Sequence, residues 1–306
     1  MYKIITKLLT FFYNLIVGCF IALLPIGFLP RKDVKSKIVL ITGGGNGLGR
    51  NLAISFGKLG SKIVLWDVDK KGLEETMNIL KEDNVECWNY VVDVTNKDQI
   101  YEVANKVKKT IGTVDILINN AGIANGKLFI NTSDNDLQKI ININLMAHFY
   151  TCKAFLPDMI TKNSGHIVNM ASLAGKVPST GIVDYSCSKF AVVGFSSALE
   201  EELNIISNGK IKVTTICPYF IKTNLTAELD VPSTFLLPVI EPEEATEIMM
   251  EGILTEQSQI LLPKFSYIFA LLYNILPTRA FYALKDTQDL KNRIMEQVEK
   301  REKKED

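Results

Sequence analysis

The sequence predicts an α/β fold, a doubly wound parallel sheet with helices on both faces. Two patterns carry that reading. From Ile38 onward, short apolar runs alternate strictly with segments of helical periodicity, the order expected when helices form the crossovers between parallel strands. The short runs are apolar throughout, as strands covered on both faces must be.

Taken in order, Lys37–Thr42 is a β-branched run followed at once by glycines, and a helical pattern covers Leu48–Leu59. A strand at Lys62–Trp66 and a helix at Lys70–Glu82 come next, then a strand at Glu86–Val92 and a helix at Lys97–Ile111. Further strands read at Asp115–Ile118, Gly165–Met170, Ile211–Ile216 and Gln259–Leu262. The intervening helices read at about Asp136–Met159, Asp184–Ile206 and Glu243–Glu256.

The chain has 306 residues, with 34 basic and 34 acidic side chains. A net charge of zero without a basic stripe gives no footprint for nucleic acid. Five cysteines, Cys19, Cys87, Cys152, Cys187 and Cys217, are scattered without CxxC or Cys/His spacing. They fit a reducing compartment and neither a zinc site nor a disulfide framework.

Outside the alternating region, Leu8–Leu29 is 22 residues without a charge. As one helix it would extend roughly 33 Å, about a bilayer core. Lys3 and Lys7 precede it, while Arg31, Lys32, Lys35 and Lys37 follow, which predicts a catalytic domain on the cytosolic side. Pro25, Gly27 and Pro30 interrupt the far end, so a bent segment in one leaflet is an alternative to a full span. The expected organisation is a hydrophobic membrane anchor over 1–30, a basic linker over 31–37 and a nucleotide-binding domain over 38–262. An apolar extension with a charged tail follows over 263–306.

The turn Thr42-Gly43-Gly44-Gly45-Asn46-Gly47-Leu48-Gly49 lies between the first strand and the first helix. Glycines there let the backbone approach a pyrophosphate resting on the helix N-terminus. Asp67 closes the second strand, 18 residues after Gly49. A carboxylate there accepts from the ribose hydroxyls and repels a 2′-phosphate, which favours NAD over NADP. Asn46 leaves no base in the turn, although Lys70 and Lys71 lie nearby.

Tyr185 and Lys189 fall at i and i+4, on one helix face. Oxidising an alcohol needs a base for the hydroxyl proton, and a free tyrosine, with a pKa near ~10, is too weakly acidic to serve. A neighbouring lysine cation lowers it. Ser172, 13 residues upstream at the end of a strand, faces the ligand crevice of an open sheet and can hydrogen-bond the substrate oxygen.

The glycine turn, Asn119-Asn120-Ala121-Gly122, Ser172 and Tyr185-x-x-x-Lys189 together resemble the short-chain dehydrogenase/reductase family over roughly Ile38–Leu262. The resemblance implies a Rossmann-like sheet of about seven strands and NAD as cofactor. It implies Tyr185 as acid/base, Lys189 as its pKa-lowering partner on the nicotinamide ribose, Ser172 orienting the substrate and Asn144 supporting a relay water. The implied cofactor contacts are Gly43, Asn46, Gly47, Leu48, Gly49, Asp67, Asp93, Val94, Asn120, Ala121, Gly122, Pro218 and Thr223, besides Tyr185 and Lys189; no metal is implied. Tyr219 stands where the family has glycine after the proline.

KLGSKIVLWDVDKKGLEET, MAHFYTCKAFLPDM, SCSKF, CPYF and GILTEQ resemble the membrane-associated branch of the family, the hydroxysteroid and retinol dehydrogenases. That resemblance implies a lipophilic small-molecule substrate and a homodimer on the endoplasmic reticulum membrane or a lipid-droplet surface. The apolar stretches Val231–Ile240 and Ile260–Leu284 are the expected pocket walls. His148 and His166 have no partner pattern and read as core or surface residues. A scaffold that keeps the fold with little turnover is the alternative function.

Overall fold

The computed structural model of the protein describes residues 5–13, 27–223 and 237–285. Seven strands form one parallel sheet in the order β3-β2-β1-β4-β5-β6-β7. They are β1 Ile38–Thr42, β2 Lys62–Asp67, β3 Cys87–Val91, β4 Ile116–Asn119, β5 Gly165–Met170, β6 Ile211–Pro218 and β7 Gln259–Leu262. All five residues of β1 are buried, because both faces are covered.

The helical elements are α1 (5–13), α2 Gly47–Lys58, α3 Lys70–Glu82, α4 Lys97–Thr110, α5 Asp134–Ile141, α6 Ala147–Lys162, α7 Val183–Ile206, α8 Pro242–Leu254, α9 Ser266–Ile275 and α10 Thr278–Lys285. On one face Val39, Ile41 and Leu65 pack with Phe56 of α2, Leu73 of α3 and Met249 of α8. On the other, Leu40, Val64 and Trp66 pack with Val107 of α4, Phe155 of α6 and Leu203 of α7. Side-chain caps start several helices: Asp69 accepts from the Gly72 N–H, Asn96 from Asp98 and Gln99, and Ser133 from Asp136, each worth roughly 1 kcal/mol.

β1 lies between β2 and β4, so the winding direction reverses there. A crevice opens beyond the carboxyl ends of strands at such a switch point.

The expected N-terminal membrane segment needs correction. No helix among the described residues is long and apolar enough to cross a membrane. The described part of α1, residues 5–13, rises only about 14 Å. The far end of the uncharged run has left helical geometry, with Gly27 at φ +92°. There the chain is docked on α8: Gly27 N–H donates to Glu251 Oε1 at 2.8 Å, and Arg31 Nε donates to Glu251 Oε2 at 2.7 Å. The middle of the run, 14–26, lies outside the described residues, as do 231–236 of the expected pocket wall and the tail beyond 285.

Candidate active site

The turn after β1 is shaped by close approach. Gly43 and Gly47 have φ of +67° and +51°, the region that favours glycine. A Cβ on Gly49 would sit 2.0 Å from the Gly43 carbonyl oxygen, so only glycine lets α2 start this close to β1. Asn46 precedes α2 without capping it through its side chain, which leaves the first-turn N–H groups open to an anion. Leu48 packs against the core. These features fit the pyrophosphate of a dinucleotide.

Asp67, at the end of β2, accepts from Gly45 N–H through Oδ2 and from Asp69 N–H through Oδ1, both at 2.9 Å. Asn120 ties β4 to β1: its Nδ2 donates to the Thr42 and Gly43 carbonyls at 3.0 and 3.2 Å. Asn120 and Ala121 N–H both donate to Thr42 Oγ1. Beyond β3, Asp93 Oδ1 accepts from Thr95 N–H at 2.8 Å, and Val94 is buried. Thr223 N–H donates to the Ile221 carbonyl at 2.8 Å, at the edge of the described residues.

At the ends of β5 and β6 the structure brings four of the expected residues together. Tyr185 stands in the first turn of α7, with Ser172 close enough to act on its phenol. Ser172 Oγ donates to the Pro218 carbonyl at 3.4 Å and accepts from Ala174 N–H at 3.1 Å. Lys189 Nζ donates to the Met170 carbonyl at 2.8 Å and lies 5.6 Å from the centre of the Tyr185 ring. Asn144 Nδ2 donates to Ser188 Oγ at 3.0 Å and to the Ile123 carbonyl at 2.9 Å, while its Oδ1 accepts from Ile123 N–H. Gly122 fits between them: a Cβ there would lie 3.3 Å from Asn144 Oδ1 and 3.5 Å from Lys189 Nζ.

The electrostatics differ from the simple expectation. Burial pushes the Tyr185 phenol up, and the neighbouring Ser172 hydroxyl pulls it back only in part. Burial also lowers Lys189 to about 8. Desolvation therefore acts against both charged forms, phenolate and ammonium.

A family model described as short chain dehydrogenase matches residues 37–232. The chain belongs to the short-chain dehydrogenase/reductase family. As a member it is an NAD(P)-dependent oxidoreductase acting on CH–OH groups. It is 43% identical over 291 residues to estradiol 17-beta-dehydrogenase 11 of Macaca fascicularis, covering 94% of this chain and 96% of that one. Human epidermal retinol dehydrogenase 2 is 42% identical over 275 residues, covering 90% and 88%. Among solved structures, a family member from Burkholderia phymatum in complex with NAD superposes with a TM-score of 0.73 at 26% identity, covering 79% of this chain and 94% of that one. A metagenomic short-chain oxidoreductase in complex with NADP gives 0.64 at 26%, covering 76% and 98%. The fold accommodates either nucleotide.

Three features of this oxidoreductase site had no signal in the motifs. Asn142–Met146 forms a π-helical turn between α5 and α6, so Asn144 projects from a widened turn of a kind common at functional sites. Asp184 is buried beside Tyr185; it accepts from Tyr185 N–H at 2.8 Å and from Asn125 Nδ2 at 2.6 Å, which ties the loop after β4 to the start of α7. Arg50 is a base beside the glycine turn, with its guanidinium bound to the Gly45 carbonyl at 2.5 Å and to Glu75 at 2.8 Å.

Proposed function

We propose that this enzyme uses NAD to oxidise an alcohol on a lipophilic substrate, of the 17β-hydroxysteroid or retinol kind, with Tyr185 as the acid/base. The joining of Tyr185, Ser172 and Lys189 at the end of β5, beside a dinucleotide cradle, carries the reading. Bound NAD supplies the hydride acceptor. Tyr185 takes the hydroxyl proton of the substrate, and Ser172 Oγ holds the substrate oxygen in line. The Lys189 cation offsets the burial that disfavours the phenolate, and Asn144 holds the loop at Ile123 and the α7 helix in register around it.

Asp67 supports the choice of NAD. Lys70 and Lys71, which could have countered its charge, lie within 3.9 and 4.0 Å of Glu74 and Glu75 on their own helix. The Arg50 guanidinium is held by Gly45 and Glu75. Asp67→Ala removes the repulsion while Arg50 stays close, so the ratio of kcat/KM with NADP to that with NAD rises about tenfold. An unchanged ratio ends the argument from Asp67.

A lipid substrate suits the walls. Beyond Ser172, the residues Leu173, Val177, Leu261, Ala270 and Phe281 form an apolar cluster with Tyr219 and Phe269 against it. The same reading includes a homodimer in contact with one leaflet of the endoplasmic reticulum or with a lipid droplet, from the cytosolic side. The supporting feature is exposed apolar side chains: Leu9, Phe12 and Tyr13 on α1, and Phe28 before the domain.

The test is NADH formation by the full chain in lipid vesicles, with retinol, estradiol and a long-chain alcohol. Tyr185→Phe is run beside the wild type. Wild-type turnover that falls about 10²–10⁴-fold in the variant supports the mechanism and ranks the substrates. NAD binding without turnover on any of them moves the reading to a scaffold.

A further inference from the structure

His148 stands one turn after Asn144 on α6 and is fully enclosed. Its surroundings fix its tautomer. Asn169 Nδ2 donates to Ser196 Oγ at 2.9 Å, and Ser196 passes its own proton to the Val192 carbonyl at 2.8 Å. The Asn169 amide therefore turns its Oδ1 the other way, where it accepts from Asn119 Nδ2 at 2.9 Å. His148 Nδ1 lies 3.2 Å from that same Oδ1. A nitrogen facing an acceptor carries the proton.

Burial, with the Lys189 charge adding to it, holds the imidazole down to about 3, so it is neutral. A neutral ring protonated on Nδ1 has a lone pair on Nε2. That atom is sealed from solvent and has no hydrogen-bond partner among the described residues. Leaving such an acceptor unpaired costs about 1–3 kcal/mol, and a buried water is the usual partner.

The charge whose field reaches His148 is the Lys189 ammonium on α7. It donates to the carbonyl of Met170, the residue next to Asn169 on β5, and an ammonium has two further protons to place. The other titratable groups around the pair are Tyr185 on α7 and two thiols. Cys152, beside Asn119, and Cys217, beside Lys189, are each pushed up to about 12 by burial and stay neutral.

We propose that His148 is a positioning residue for Lys189: its Nε2 lone pair holds a buried water that accepts a hydrogen bond from the Lys189 ammonium. The proposal rests on the reading of Tyr185 as acid/base. It gives Lys189 a neutral acceptor, which supports the cation without taking its proton, and so keeps positive charge beside the phenolate when Tyr185 is deprotonated. Asn144, in the π turn before α6, acts through different atoms, since its amide is spent on Ile123 and Ser188.

The experiment compares wild type, His148→Phe and His148→Gln as full chains with NAD. It reads kcat/KM for alcohol oxidation against pH, a profile that reports the essential base before the alcohol binds. Phe keeps a ring and loses the acceptor, so Lys189 holds its proton less well and Tyr185 becomes a harder phenolate to form. The acid limb moves up by about one pH unit, and the rate at neutral pH falls about tenfold. Gln, which offers an acceptor oxygen, brings the limb most of the way back. An unmoved limb in a folded Phe variant, with only its melting temperature lowered, overturns the proposal. Should that variant not fold, a high-resolution crystal structure of the wild type with NAD decides. A water shared by Nε2 and Lys189 Nζ upholds the proposal; a dry contact or a protein donor on Nε2 overturns it. Turnover that survives Tyr185→Phe sinks the acid/base reading instead, and the same crystal structure still settles whether the water is there.

Discussion

The strand β5 has a lysine near a histidine at each of its ends, Lys32 half-buried and Lys189 buried, and the two networks close differently. At the amino end, Lys32 Nζ donates to His166 Nδ1, so His166 carries its proton on Nε2 and donates it to Thr214 Oγ1 at 2.8 Å. Thr214 in turn donates to the Gln257 carbonyl at 2.6 Å. At the carboxyl end, the field of Lys189 reaches His148, whose Nε2 is left over. Both lysines are lowered to about 8, chiefly by burial, and both imidazoles are neutral. A depressed pKa thus fails to tell the two ends apart. What separates them is closure: the amino-end network satisfies both ring nitrogens, while the carboxyl-end network has one acceptor to spare, at the site of the chemistry.

Closure at the amino end identifies a staple. Lys32 N–H donates to the Leu254 carbonyl at 2.8 Å, and its neighbour Arg31 pairs with buried Glu251 at 2.6 Å. The chain entering the domain is thereby sewn to α8, β5 and β6. The larger expected effect follows from breaking it. His166→Phe leaves the Lys32 ammonium and the Thr214 hydroxyl without their partner and costs about 3 kcal/mol of unfolding free energy, measured as a lower urea midpoint. The pH profile of alcohol oxidation stays where it is. A shifted profile would mean that the two ends communicate, and the distinction by closure would fail.

The asymmetry also marks what was legible in the sequence. The Gly43–Gly49 turn, Asp67 and Tyr185–Lys189 could be read because each is a short local pattern tied to strand or helix register. The seven strands could be read because burial on both faces leaves unbroken apolar runs. His148 could not, since its meaning depends on Asn169, 21 positions away, and on the direction in which Ser196 turns that amide. The π turn at Asn142–Met146 leaves the same apolar spacing as an ordinary helix over so short a stretch. Arg50 falls outside the glycine motif, and only the packing of α2 on α3 brings it to Glu75. The uncharged run from Leu8 read as a full span or a bent segment in one leaflet, because hydropathy does not register that Gly27 bonds to Glu251 on α8.

The smaller effect tests whether the two ends share a charge state. Lys32 titrates near ~10.4 when unfolded and at about 8 when folded. Between those values the unfolded chain holds more protons, so Lys32 makes stability rise with pH there, and its burial penalty is in full force below pH 8. Lys32→Met removes that term. The stability of wild type relative to the variant therefore increases by about 1 kcal/mol between pH 8 and pH 9.5, less than the full linkage slope of ~1.4 kcal/mol per pH unit because the side chain is partly open to solvent. Denaturant titrations at three pH values read this difference directly, and they cancel the other lysines and tyrosines common to both proteins. A flat difference would mean that Glu256, 3.8 Å from Lys32, outweighs burial and keeps the ammonium charged. The two ends of β5 would then differ in charge as well as in closure, and the spare lone pair on His148 would no longer be the single feature that separates a staple from a catalytic environment.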